Sequence, residues 1–167
     1  GTIFDLGGSV RTKILETLGH ASHHLAYFDL DSQGIFQGDA AGIYFPQLDA
    51  TIPTAPAPFH LEMTLASLEK LAQMQPKRLY YTHFGPVENA VKRIRSYEAQ
   101  LQLWAHVVSQ AVKRGDTLES VHEQILQKDP QMKAALDFIN KHLILRRGVL
   151  MQNVQGYVEY FRKKLLA

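Results

Sequence analysis

ETLGHASHHLAYFDLDSQGIFQGDAAG, residues 16–42, carries three of the chain's eight histidines and closes on Gly38-Asp39. Leu25–Leu30 reads as a strand and Ile35–Gln37 as the strand that returns beside it. Between them, Asp31-Ser32-Gln33-Gly34 is a hairpin turn with glycine where a positive φ is needed. Just upstream, Thr12–Thr17 alternates imperfectly as a further strand and runs into the bend that holds His20, His23 and His24. Gly19-His20 and Gly38-Asp39 thus each sit at a strand end, where glycine allows a tight turn and close backbone approach.

Outward from this stretch the chain divides in two. Residues 1–86 are rich in β-branched and aromatic residues, glycine and proline. Thr2–Leu6 is a short strand broken by Gly7-Gly8, and Ile43–Phe45 is another. Pro46 to Pro58 holds four prolines and reads as an extended surface loop. His60–Gln73 is a helix with Leu61, Leu65, Leu68 and Leu71 or Ala72 on one face, stopped by Pro76. Arg78–Thr82 is an apolar strand, and His83-Phe84-Gly85-Pro86 is the turn after it.

Residues 87–167 read almost entirely as helix. Pro86 suits the first turn of a helix and Glu88 complements its dipole. Val87, Val91, Ile94, Tyr97, Leu101, Trp104, Val108 and Ala111 form its apolar stripe, and Gly115 ends it. Asp116 with Glu119 resembles a capping box for a second helix, whose apolar face is Leu118, Val121, Ile125 and Leu126. Asp129-Pro130 starts a third helix to about Asn140, and a last one, or two, spans 141–166 with Gly148 and Gly156 as weak points.

The composition is that of a folded chain: 167 residues, 46% apolar and 20% charged, with a net charge of +2. Lys92, Arg93 and Arg95 cluster, as do Arg146-Arg147 and Arg162–Lys164. No aromatic interleaving accompanies them, so they read as solvated helix faces and nucleic acid is not an expected partner. No apolar run approaches the ~20 residues of a membrane span, no signal peptide opens the chain, and a cytoplasmic location is expected. The absence of cysteine excludes disulfides, thiolate nucleophiles and iron–sulfur ligation, so a metal would be held by His, Asp and Glu.

Three positions stand together on spacing: His20, Asp39 and His83 each close or follow a strand and have glycine nearby. Two imidazoles and a carboxylate with no thiol suit zinc, iron or manganese. A carboxylate can bridge two ions, although three ligands are too few for a binuclear centre. Taken singly, each histidine reads more readily as a hydrogen-bonded turn residue than as a ligand, and Asp39 as an ordinary turn aspartate.

Gly19-His20-Ala21-Ser22-His23-His24, Gly38-Asp39-Ala40-Ala41-Gly42 and Thr82-His83-Phe84-Gly85-Pro86, in this order, resemble the later motifs of the metallo-β-lactamase fold, in its glyoxalase II-like branch. The resemblance covers about residues 1–90. It implies an α/β (α+β) chain: the C-terminal half (1–86) of a four-layer αββα sandwich with mostly antiparallel strands, followed by an all-helical extension (87–167) packed on it. By the same resemblance His20 would bind a first metal, His83 a second, and Asp39 would bridge both as the catalytic carboxylate. His24 and Thr82 would support them. The cofactor implied is zinc, two ions in an intact parent, with iron or manganese as alternatives. His23 stands where the family usually has glycine, and Leu18 where it has proline.

The family's leading His-x-His-x-Asp-His is absent from this chain. The parent implied is a metal-dependent hydrolase that uses metal-bound hydroxide on an ester, thioester, lactone or related bond of a small-molecule substrate. The isolated chain is expected to be poorly metallated and inactive. A half-sandwich also leaves an apolar sheet face in water, which is unfavourable at about 25 cal/mol per Å². Expected covers are the missing N-terminal half, a symmetry mate in a homo-oligomer such as a dimer, or the helical tail. The alternatives are a non-catalytic partner-binding or dimerisation module on the same fold, and a diiron redox site of the flavodiiron kind.

Overall fold

A computed structural model describes residues 2–141 and 149–166. The strands are β1 (Ile3–Asp5), β2 (Arg11–Glu16), β3 (Leu25–Asp29), β4 (Gly34–Gly38), β5 (Ile43–Phe45), β6 (Ala50–Ile52), β7 (Arg78–Tyr81) and β8 (Gly85–Glu88). The helices are α1 (Leu61–Gln73), α2 (Ala90–Arg114), α3 (Leu118–Lys128), α4 (Pro130–Ile139) and α5 (Val149–Leu166). Six strands form one sheet in the order β1-β2-β3-β4-β7-β8, and β5 pairs with β6 separately. Every pairing is antiparallel except β4 with β7, which is the expected mostly antiparallel α+β arrangement followed by helices.

The register sorts the side chains into two faces, because directly paired residues point the same way. Phe28, Ile35, Leu79 and Val87 line up across four strands on the inner face. Phe28, Ile35 and Leu79 belong to one buried cluster with Leu68 and Leu71 of α1, Ile94 and Trp104 of α2, and Val154 and Tyr157 of α5, and the half-buried Val87 packs against it. Ile14, Tyr27, Phe36 and Tyr80 line up on the opposite face. There Tyr27 is 42% and Phe36 51% exposed, and the Phe36 ring stacks on Tyr80 at 4.4 Å. Among the described residues the helical tail therefore leaves the outward face uncovered; α5 packs against α2 and α3, and α4 against β6.

Four local expectations are corrected. Gly85–Glu88 is strand, not helix: Val87 pairs with Leu79 and completes the inner row, and α2 starts only after Asn89 turns the chain at φ 57°. Proline is tolerated there because β8 is an edge strand with no second neighbour to receive an N–H. The proline-rich segment is not a surface loop, since residues 50–55 are buried and include β6. The cap of α3 is Thr117, whose hydroxyl accepts from the Ser120 amide, while Asp116 pairs with Arg114 and Gln124. Gly156 is a packing site within α5, where a Cβ would lie 1.9 Å from the Ala55 carbonyl oxygen. Gly148 lies outside the described residues.

Candidate metal centre

Alternating strand direction brings the three motif turns to one place. β2, β4 and β7 run the same way, so their C-terminal ends share one edge of the sheet. His20 follows β2, Asp39 follows β4 and His83 follows β7. A register shift between Phe36 and Gly38, with Gly38 at φ 61°, turns Asp39 over this edge.

The Asp39 carboxylate is shared between the two histidines. His20 Nε2 lies 3.8 Å from Oδ2, and His83 Nε2 lies 3.8 Å from Oδ1. Asp39 Oδ1 is buried without a hydrogen-bond partner, an orphaned acceptor of the kind a cation satisfies. His20 Nδ1 lies 3.1 Å from the Thr54 carbonyl. A carbonyl only accepts, so Nδ1 carries a proton and Nε2 is the nitrogen turned toward Asp39. This donor set fits a metal ion, one histidine to each oxygen of a shared carboxylate. Yet no group of three or more His, Cys, Asp or Glu among the described residues is gathered closely enough to hold an ion alone.

Asp39 is held at both ends of its backbone. Its amide donates to His24 Nε2 at 3.0 Å, and its carbonyl accepts from Thr54 Oγ1 at 2.7 Å. With Nε2 accepting, the His24 proton sits on Nδ1 and goes to Thr17 Oγ1 at 2.7 Å. Burial, reinforced by nearby His20, lowers the His24 pKa below its usual 6.5 and favours this neutral form. His24 thus contacts the Asp39 backbone directly. Thr82 is exposed at the turn after β7. His23 is exposed on a cleft of about 470 Å³ lined also by His20, Pro56, Pro58, His60 and Met63.

Two supports were not anticipated from the sequence. Gln37 is fully buried; its Oε1 accepts from the Ala41 amide at 2.5 Å and its Nε2 donates to the Gly42 carbonyl at 3.2 Å. A polar residue at an inward position of an alternating strand was the available signal. Thr54, which touches both His20 and Asp39, had none, because it lies in the proline-rich segment read as a loop.

The fold occurs in known proteins. A family model described as the metallo-beta-lactamase superfamily matches residues 1–83. This part of the chain has the metallo-beta-lactamase superfamily fold. A metallo-beta-lactamase fold-containing protein of Sulfurisphaera tokodaii is 38% identical over 84 residues, which are 50% of this chain and 30% of that protein. In its crystal structure, described as that of an archaeal metallo-beta-lactamase superfamily protein from Sulfolobus tokodaii, the same protein aligns at 33% identity and a TM-score of 0.52 over 59% of this chain and 36% of its own. A metallo-beta-lactamase family protein from Thermus thermophilus aligns over 98% of this chain and 48% of that one, with a TM-score of 0.65 at 19% identity. At that identity the likeness is one of fold, and it extends through the helical tail. The chain spans about a third to a half of the length of these relatives.

Proposed function

We propose that this chain provides one side of the metal centre of a hydrolase in the metallo-β-lactamase superfamily, of glyoxalase II-like type. The observation that carries the reading is the buried, orphaned Asp39 Oδ1 with an imidazole Nε2 3.8 Å from each carboxylate oxygen. His20 and His83 would each hold one of two zinc ions and Asp39 would bridge them, with iron or manganese as the alternative metals. Bound there, the ions would supply Lewis acidity and bring a water toward ionisation at neutral pH. The chain's own part is positional: Thr54 and His24 keep His20 and Asp39 aimed at one point. The cleft beside His20 would admit a small substrate with an ester, thioester or lactone bond.

Two ligand histidines and one carboxylate support weak occupancy in this chain alone, with further ligands coming from elsewhere in the full-length protein. We further propose that a second sheet from that protein covers the outward face of Tyr27, Phe36 and Tyr80. The direct test is metal analysis and a panel of ester and thioester substrates on the full-length protein. Close to two equivalents of zinc and measurable turnover are expected, with both reduced at least tenfold by Asp39→Ala. Full metallation by Asp39→Ala would overturn the reading; a stable, metal-free wild type without turnover would favour the partner-binding module.

A further inference from the structure

The helical tail bears on the candidate metal centre through a short route. Asn153 of α5 is 4% exposed and grips the buried segment 53–55 as a neighbouring strand would. Its Oδ1 accepts from the Ala55 amide at 2.7 Å, and its Nδ2 donates to the Pro53 carbonyl at 2.6 Å. One turn on, Gly156 lets the helix backbone approach the Ala55 carbonyl so closely that a Cβ would lie 1.9 Å from its oxygen. Extended backbone alternates, so Thr54 between them presents its polar groups to the other side. There its amide donates to Tyr97 Oη of α2 at 3.2 Å. Its carbonyl faces His20 Nδ1 at 3.1 Å, and its hydroxyl donates to the Asp39 carbonyl at 2.7 Å.

Pro53 has no amide to donate, so Asn153 is the group that satisfies the exposed edge of this segment. Without it, the Ala55 amide and the Pro53 carbonyl would be buried and unpaired. The segment would then move to find partners, carrying with it Thr54, which is hydrogen-bonded to two of the three candidate ligands.

We propose that Asn153, seated against the segment by Gly156, is a positioning residue for His20 and Asp39, so that the α5 helix sets their geometry across about a hundred residues of sequence. The proposal rests on the reading of His20 and Asp39 as metal ligands, but its first consequence is visible without metal: Thr54 selects the Nδ1-protonated form of His20.

The test is nitrogen-15 histidine NMR of the metal-free full-length protein near pH 8, where imidazoles are neutral, together with zinc titration. Wild type should show His20 protonated on Nδ1. Asn153→Leu and Gly156→Ala should each give a mixture of His20 tautomers and weaken zinc binding about tenfold or more. Ile125→Val in α3, a core change that removes no hydrogen bond to the segment, should leave the tautomer and the zinc affinity unchanged. The proposal is overturned if Asn153→Leu and Gly156→Ala fold with His20 still on Nδ1, or if Ile125→Val shifts it equally. If Asn153→Leu does not fold, Gly156→Ala decides by the same criterion. A tautomer shift in a protein that binds no zinc would sink the metal reading and leave the positioning role standing.

Discussion

Gln37 and Gly38 sit side by side, and each constrains the Asp39 turn in a different way. Gln37 uses both ends of its amide on the backbone of residues 41 and 42. Replacing it with leucine keeps the volume but leaves a buried donor and a buried acceptor unpaired. Gln37→Leu should therefore cost about 2–4 kcal/mol, measured by urea unfolding. At Gly38 the φ of 61° and the 2.5 Å approach of a Cβ to His24 Nε2 both oppose a side chain. Gly38→Ala should cost at least about 1 kcal/mol and break the bond from His24 to the Asp39 amide. The missing His24–Asp39 contact would show as a lost NMR coupling or a faster-exchanging Asp39 amide; wild-type protection of that amide would contradict this. The candidate ligands were legible because glycine, histidine and aspartate occur together at strand ends. Their hydrogen-bond partners were not, since a threonine 34 residues away carries no mark of which imidazole it meets.

Among the elements, strand pairing overrode local helix signals at β8. Pro86 and Glu88 are good first-turn residues, but Val87 completes an inner row on the sheet and the helix begins two residues beyond Glu88. Where no such competitor existed, local signals held, as at Asp129-Pro130. Asp129 caps α4 through the Met132 amide and also accepts from Gln100 and Trp104 of α2, at 2.8 Å each. Asp129→Ala removes the cap and strands two buried side-chain donors, so it should cost about 3–5 kcal/mol, read by chemical denaturation. A loss under 1 kcal/mol would contradict the network. The contact between α5 and α1 depends on pH instead. The Lys164 ammonium and the Tyr160 hydroxyl lower the Glu62 pKa from 4.5 to about 2. The unfolded state therefore binds more protons between those values, and this contribution is complete above 4.5 and lost as pH falls toward 2. Glu62 is largely exposed, so the effect is small and screened by salt. Glu62→Gln should flatten the acid limb of thermal stability at low ionic strength, and an unchanged limb would rule the pair out.

For the whole molecule, the outward row of Ile14, Tyr27, Phe36 and Tyr80, in which Tyr27 and Phe36 are exposed, is the feature that this chain leaves unfinished. If a second sheet covers it in the full-length protein, Phe36→Glu there should lower stability by about 3–5 kcal/mol. A change within about 0.5 kcal/mol would mean the face stays in water. Alternation and turn chemistry made the strand-rich first half, the helical second half and the cluster of His20, Asp39 and His83 readable in advance, because these signals are local and repeat along the chain. The burial of residues 50–55, the conversion of Pro86 into an edge strand and the grip of Asn153 on Pro53 and Ala55 were not readable. Each depends on which group, from about six to a hundred residues away, lies opposite a given backbone N–H or C=O. Buried polar groups must find a partner, and which partner is settled only when the helices pack against the sheet.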